Sequence, residues 1–231
     1  MRGVIAALLL AALPGMAADA PPIPSACHGT VAQGGLTHGV RLPPSGPNFA
    51  AYSALGVALG RTHVHGGVAK IVLQAYRALA HSAPGVMFVY GEAGWARGGR
   101  FWPHRTHQNG LSVDFMVPVR NLRGESLVLP AWAGNGFGYG MDFDAQARHG
   151  RLRIDFEAVA EHLYQLDRAA RAQGAGLARV IFDTDYLPQL WATRRGAYLQ
   201  AHLPFMRGRP WVRHDDHYHV DFALACGPRT G

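Results

Sequence analysis

The sequence is short of lysine, of long hydrophobic runs and of cysteine, and each shortage excludes a class of protein. Lys70 is the only lysine among 22 basic residues, so arginine carries almost all of the formal charge of +7. The chain has no basic run, no zinc-finger spacing and no basic helix, which argues against a nucleic-acid partner. Two explanations of the charge stay open, namely ordinary solubility and an anionic cell-surface polymer.

The one prominent hydrophobic run lies at the N-terminus. Arg2 precedes the apolar residues 4–13, which end at a Pro-Gly pair. Small residues follow up to Ala20, which completes an A-x-A cleavage site, and cleavage after Ala17 is a second option. This pattern predicts a secretory signal peptide over residues 1–20. The run is too short to span a bilayer and no later run is long enough, so we expect no membrane insertion.

The chain also lacks the motifs of several hydrolase classes. It has no H-E-x-x-H, G-x-S-x-G or Ser-x-x-Lys motif, which argues against a thermolysin-type base and a serine nucleophile. Its two cysteines, Cys27 and Cys226, lie near the ends of the mature chain. An even count in an exported protein predicts a disulfide, which would also exclude a cysteine nucleophile. Lipidation of Cys27 is the alternative, although residues 24–26 make a poor lipobox.

Apolar periodicity and turn residues predict one α+β domain over residues 21–231, with a central antiparallel sheet flanked by helices. The expected helices lie at 68–80, from an Asp155 cap to about Gln173, and at 187–195, and the expected strands at 86–90, 177–182 and 211–224. Residues 21–47 are expected to form an irregular lead-in. The Gly-rich residues 120–151 are interpreted as a loop insertion.

Thirteen histidines are many for this length, and three of them fall within residues 214–219. In a strand, successive side chains alternate between faces, so His217 and His219 share one face and Tyr218 takes the other. Such a strand aims two imidazoles at one metal ion or one substrate. A surface histidine-rich tract is the competing interpretation.

A second polar cluster lies at residues 104–115, where Gly110 permits a tight bend after His107. Beyond the bend, apolar residues alternate with Ser112 and Asp114, so both polar side chains face away from the apolar layer. A histidine and a carboxylate from this segment, with a histidine from the distant C-terminal strand, make a three-ligand zinc set. The fourth position would stay open for water, as in catalytic zinc sites.

Together these segments resemble the penicillin-insensitive murein endopeptidase family, within the lysostaphin, D-Ala-D-Ala metallopeptidase and hedgehog group. Residues 106–114 read Thr-His-Gln-Asn-Gly-Leu-Ser-Val-Asp, similar to the family's Ser-His-Gln-x-Gly-Leu-Asp-Val-Asp. Residues 214–219 match its His-x-x-His-x-His segment. The likeness runs from about residue 45 to Cys226, interrupted after Arg120. It implies a hedgehog-like or D-Ala-D-Ala-peptidase-like fold.

The resemblance also implies roles for individual residues. His107, Asp114 and His219 would bind one zinc ion per chain. His217 would be the active-site histidine beside the metal, and His214 a further active-site histidine. From the chemistry of imidazole we expect His217 to act as the base and His214 to stabilise the oxyanion or orient His217, although the two residues could exchange these roles. General acid–base chemistry of this kind suits imidazole.

Other residues are expected near the metal without binding it. His104, His65 and Ser112 are expected to lie around the metal ligands and contact them. Ser112 stands where the family has Asp. Asp221 stands where the family commonly has Arg. It is expected on the same strand face as the histidines, where it would alter the charge preference for substrate.

The activity implied is zinc-dependent hydrolysis of D-alanyl–meso-diaminopimelyl cross-links between peptidoglycan peptide stems, in the periplasm. Without an acyl-serine the reaction would be insensitive to β-lactams. Two alternatives remain: a D-Ala-D-Ala carboxypeptidase or dipeptidase of the same fold, and a non-catalytic zinc-holding or wall-binding module. The sequence does not indicate an oligomeric state.

Overall fold

The computed structural model describes residues 23–228, so the signal peptide predicted at residues 1–20 lies outside the described residues. The α-helices are α1 (Ala54–Ala58), α2 (Gly66–Ser82), α3 (Phe156–Ala172), α4 (Leu187–Trp191) and α5 (Gly196–His202). The strands are β1 (Ala26–Gly29), β2 (Gly34–Thr37), β3 (Val40–Arg41), β4 (Ser45–Gly46), β5 (Phe49–Ala51), β6 (His63–Val64), β7 (Phe88–Tyr90), β8 (Ser112–Met116), β9 (Val119–Arg120), β10 (Ser126–Leu127), β11 (Arg148–His149), β12 (Leu152–Ile154), β13 (Gly176–Ile181) and β14 (His217–Ala223).

A six-stranded sheet in the order β13-β14-β8-β7-β5-β4 forms the centre of this α+β fold. Its pairs are antiparallel, as the sequence predicted, except that β5 and β7 run parallel. The exception has a topological cause, because the chain passes through α2 between β5 and β7. A crossover of this length is the connection that parallel neighbours require.

Two long helices, α2 and α3, pack against each other and α3 packs on β13. The predicted helical periodicity is confirmed, since the apolar residues of α2 (Val68, Ile71, Val72, Ala75 and Leu79) are buried. The predicted cap of α3 is also present, because the Asp155 carboxylate accepts from the N–H of Ala158 at 3.2 Å. No helix within residues 23–228 is both long and apolar enough to cross a bilayer.

The N-terminal segment is more regular than predicted. Residues 26–37 form a hairpin of β1 and β2 in which Cys27 faces Leu36, instead of an irregular lead-in. Its glycines and short strands hide the alternation by which a strand is recognised from sequence. The predicted disulfide is confirmed, and Cys27 and Cys226 join this hairpin to the chain beyond β14.

The last strand is shorter than predicted and begins only at His217. The residues before it leave the sheet because their side chains hold another segment. Asp215 accepts from the N–H of Phe143 at 2.7 Å, and Asp216 accepts from the N–H of Met141 at 3.4 Å.

Residues 120–151, interpreted as a loop insertion, contain regular structure. With neighbouring residues they supply a small sheet in the order β10-β9-β12-β11 and a 3₁₀ segment, Ala133–Gly138. The bonds to Asp215 and Asp216 bring the part around residues 139–143 against the start of β14.

One histidine of α3 is buried in the core, where the helix packs on the sheet. His162 is completely buried, and its ring lies 5.4 Å from that of Tyr76 and 4.7 Å from that of Phe115. It is hydrogen-bonded to the hydroxyl of Tyr218 on β14. Burial lowers the pKa of His162 from 6.5 to about 3. Between about pH 3 and pH 6.5 the ring is therefore neutral in the folded protein and protonated in the unfolded chain.

This pKa difference predicts an acid-sensitive stability. Between about pH 6.5 and pH 3 the unfolded chain binds a proton at His162 and the folded chain does not, so the free energy of unfolding falls as pH drops. In His162→Gln, which stays neutral, the loss between pH 7 and pH 5 should be smaller by about 2 kcal/mol. Urea unfolding at the two pH values measures it. His81→Gln, at an exposed position of α2, should keep the wild-type loss, and an equal loss in His162→Gln would contradict the prediction.

Candidate metal centre

The strand pair β8–β14 places polar side chains opposite each other. In its register His219 faces Asp114 and Asp221 faces Ser112. Directly opposite residues of an antiparallel pair project to the same side of the sheet. Tyr218 projects to the other side, where it meets α3. The polar side chains therefore gather on the sheet face turned away from α3, as the alternation of the sequence predicted.

His107 reaches this face from the loop before β8. Its backbone lies in the left-handed region, with φ of +67°, which is uncommon for a residue other than glycine. Burial lowers the pKa of His107 against the opposing effect of Asp114, so the ring is neutral. Its Nδ1 donates to the carbonyl of Ala93 at 3.1 Å, which leaves Nε2 unprotonated. That Nε2 lies 3.3 Å from Asp114 Oδ1 and has no hydrogen-bond partner among residues 23–228.

His219 approaches the same carboxylate from β14. Its Nδ1 lies 2.8 Å from Asp114 Oδ1, and its Nε2 lies 2.8 Å from Asp221 Oδ1. The rings of His107 and His219 are 4.8 Å apart between centroids. Burial opposes protonation of His219, but Asp221 and Asp114 outweigh it and raise its pKa to about 9. The protonated ring therefore donates one N–H to each of the two carboxylates.

His104 is the third imidazole beside Asp114. Its Nε2 lies 2.5 Å from Glu92 Oε2, and its Nδ1 lies 3.8 Å from Asp114 Oδ2. Ligand atoms of His104, His107 and Asp114 all lie within 4.8 Å of one another, so this group offers a possible metal site. Glu92 also binds Arg61 and accepts from the hydroxyl of Tyr52 at 2.7 Å. His104 is thus closer to the centre than the sequence predicted.

The donor set fits a divalent metal ion. The unprotonated Nε2 of His107 faces the carboxylate of Asp114, and two acceptors at that distance repel unless a cation lies between them. Burial opposes ionisation of Asp114, but the neighbouring imidazoles, among them His219 with its hydrogen bond from Nδ1, outweigh it and hold the pKa of Asp114 well below its usual range. A neutral imidazole and an ionised carboxylate are the forms that bind metals. Among divalent ions this mixture of nitrogen and oxygen donors suits zinc.

Two further histidines stand beside this cluster. His217 Nδ1 lies 2.5 Å from Asp216 Oδ1, and the His214 ring lies 4.6 Å from the His217 ring. His214 Nδ1 donates to the carbonyl of Val212 at 2.7 Å. Burial, with a smaller effect of His217, lowers the pKa of His214 to about 4. The C-terminal histidines are therefore held by hydrogen bonds and are not a loose surface tract.

A cleft of about 530 Å³ opens over these two histidines. His214, His217 and His104 line it together with apolar side chains, among which Trp102 and Trp211 are exposed. The buried ligand candidates lie beneath this surface. The arrangement has the form of a binding groove with titratable groups at its floor.

Sequence reasoning missed three residues of this site. Tyr139 donates from its hydroxyl to Asp114 Oδ2 at 3.0 Å and accepts from the N–H of Glu92 at 2.8 Å. It comes from residues 120–151, where no motif marks it, and no local signal singles out Glu92. Asp216 directly precedes His217 in the His-Asp-Asp-His run, so the sequence could have predicted a contact between this carboxylate and a histidine.

The remaining predicted residues fall in different places. Ser112 Oγ donates to Asp221 Oδ1 at 2.6 Å, so the two departures from the family pattern are bonded to each other. The expectation that Asp221 alters substrate charge preference is wrong, because its side chain is buried and fully bonded. His65 caps α2, where its Nδ1 accepts from the N–H of Gly67 at 3.0 Å.

Comparison with known proteins adds one finding. A family model described as penicillin-insensitive murein endopeptidase matches residues 27–230, which include both histidine clusters and both cysteines. No curated protein matches the chain.

The geometry predicts that binding of a divalent metal ion depends on the Asp114 carboxylate. In Asp114→Asn the carboxylate shared by His107 and His219 is lost, so affinity for a divalent ion should fall by more than about 100-fold. Titration calorimetry of the chelator-stripped protein with Zn²⁺ measures this. Asp167→Asn, which removes a buried carboxylate bonded to Arg171, serves as control and should bind like the wild type. Wild-type affinity in Asp114→Asn would contradict the assignment.

Proposed function

The chain belongs to the family of penicillin-insensitive murein endopeptidases, and on this premise we propose that it is a zinc-dependent hydrolase of D-alanyl–meso-diaminopimelyl cross-links in peptidoglycan. The observation that carries this proposal is the buried Asp114 carboxylate, which lies beneath an open cleft with His107 Nε2 and His219 Nδ1 both directed at it. The predicted signal peptide, together with a peptidoglycan substrate, supports action in the periplasm.

His107, Asp114 and His219 are the proposed ligands of one zinc ion. When bound, zinc supplies a Lewis acid that lowers the pKa of water and polarises a peptide carbonyl. His104 stays beside the site, and its bond to Glu92 limits the directions in which its ring points. Hydrogen bonds on the far side of ligating imidazoles, such as that from His107 to Ala93, set which nitrogen faces the ion.

His217 is the proposed general acid–base. Its Nδ1 is committed to Asp216, so the ring nitrogen that exchanges protons with substrate is Nε2. Burial opposes protonation of His217, but the hydrogen bond to Asp216 outweighs it and raises its pKa. A carboxylate behind the imidazole thus stabilises the ring after it has accepted a proton.

His214 is the proposed partner of His217 in orienting the substrate. Its Nδ1 donates to Val212, so the neutral ring presents only an accepting Nε2 to the cleft. An acceptor suits the N–H of a substrate better than a developing oxyanion. This disfavours the oxyanion-stabilising role expected from the sequence, and the orienting role proposed here is directed at the substrate, whereas the sequence-based expectation directed it at His217.

The peptide stem is the proposed occupant of the cleft. Apolar walls formed by side chains such as Leu55 and Trp211 suit the alkyl parts of the stem. Arg105 also lines the cleft, with its guanidinium 5.8 Å from the Trp211 ring centre, and is placed to pair with a stem carboxylate.

A digest of purified muropeptides tests the activity. Cross-linked dimers should be converted to monomers, a chelator should abolish the conversion and added zinc should restore it, while a β-lactam should have no effect. Mass spectrometry of the products identifies the bond. Release of free D-alanine from monomers would instead indicate a carboxypeptidase, and tight binding to sacculi without any cleavage would indicate a non-catalytic wall-binding module.

Replacement of His217 tests its proposed role separately from metal binding. His217→Gln should lower kcat by about 10²- to 10⁴-fold, because general acid–base catalysis contributes that much, while zinc content stays at one ion per chain. Steady-state rates on the dimer and metal analysis of the same samples give both values. His81→Gln is the matched control at an exposed position. An unchanged kcat would exclude His217 as the base.

A further inference from the structure

We propose that Asp221 is a positioning residue that holds His219 in the tautomer able to bind the metal. The inference rests on the metal site of the proposed function but does not require that any particular bond be cleaved. Asp221 lies two residues beyond His219 on β14, on the same face of the sheet. Its carboxylate touches the far side of the imidazole from Asp114.

A carboxylate faces each ring nitrogen of His219. A neutral imidazole has one N–H, and the ionised Asp221 can only accept at Nε2, 2.8 Å away. Asp114 lies equally close to Nδ1, at 2.8 Å, so Nδ1 gives up its proton only when it binds the metal, and the one N–H that remains is then on Nε2 and donates to Asp221. A carboxylate behind a ligating histidine fixes tautomer and ring orientation in this way in many metal sites.

The Asp221 carboxylate is itself held in place by hydrogen bonds from Ser112 and Arg179. Ser112 Oγ donates to Oδ1 at 2.6 Å, and Arg179 donates to Oδ2 from Nε at 2.9 Å and from Nη2 at 2.6 Å. These partners belong to β8 and β13, the two neighbours of β14, where both pair with Asp221 in register. The carboxylate is therefore clamped from both sides and cannot rotate away from His219.

The position of Asp221 excludes direct contact of its side chain with substrate. Asp221 is only 3% exposed and lines none of the cleft over His217. The remaining alternative is that Asp221 only ties β13 to β14 through Arg179. That purely structural role predicts lower stability without a change in metal affinity.

Two single variants separate these roles. In Asp221→Asn the oxygen is drawn to the Arg179 donors, so the amide N–H₂ turns toward His219 and moves the ring proton to Nδ1. Zn²⁺ affinity should fall by about 10- to 100-fold, the usual effect of losing such a partner. Arg179→Gln removes the donors to Oδ2 and the tie between strands but leaves Ser112 Oγ on Oδ1, the oxygen that faces His219, so it should lower the unfolding temperature and leave Zn²⁺ affinity close to wild type.

A double variant tests whether the carboxylate itself is what matters. Ser112→Asp with Asp221→Ser moves it across the strand pair to the residue that already contacts Asp221. The swap should recover most of the affinity that Asp221→Asn loses. In the zinc-loaded full chain, ¹⁵N shifts of the His219 ring should report a protonated Nε2 in the wild type and in the swap.

Zn²⁺ competition against a chromogenic chelator measures all four proteins. Wild-type affinity in Asp221→Asn would overturn the proposal even if the protein cleaves cross-links as proposed. A wild type that binds Zn²⁺ but cleaves no muropeptide, with the expected loss in Asp221→Asn, would overturn the proposed function and support this inference. A wild type that binds no Zn²⁺ would overturn both.

Discussion

Burial of one carboxylate, that of Asp114, is the constraint on which the site depends. An ionised group without exposed surface is costly unless neighbouring charges and hydrogen bonds compensate it. Asp114 receives the hydroxyl of Tyr139 and contacts the imidazoles of His104, His107 and His219. Tyr139, the loop that carries His104 and His107, and the strand that carries His219 are three separate parts of the chain. The fold around the site can therefore be understood as the set of connections that bring these groups to Asp114.

One face of the central sheet packs on α3 in the hydrophobic core, and the other face carries the polar side chains of the candidate site. On β14 the side chain of Tyr218 packs with His162 in the core, while its neighbour His217 lines the cleft and its other neighbour His219 contacts Asp114 in the candidate metal centre. A one-residue slip of β14 against β8 would exchange the two sets. The core contacts of Tyr218 and the bond between His219 and Asp114 thus enforce the same register. The same strand register therefore determines both the packing of the core and the geometry of the candidate site.

The polar contacts continue outward through the sheet. Asp221 links His219 to Ser112 on one neighbouring strand and to Arg179 on the other, and these bonds replace water that the buried groups no longer meet. On the cleft side, Asp216 holds His217 and also accepts from the backbone of Met141, in the segment that carries Tyr139. Side chains that look like isolated departures from a motif therefore act as members of one network.

Local patterning was enough for α2, α3 and the shared face of His217 and His219, because each depends on periodicity, capping or alternation that a short window displays. The family was recognisable for the same reason, since its motifs are contiguous. The disulfide was predictable for another reason, since the chain has only two cysteines. Contacts between distant segments settled the rest: the position of Tyr139 and Glu92, the close approach of His104, the late start of β14, and the buried contacts of Asp221. These depend on strand register and on which side chains share a buried volume, and no window of neighbouring residues contains that information.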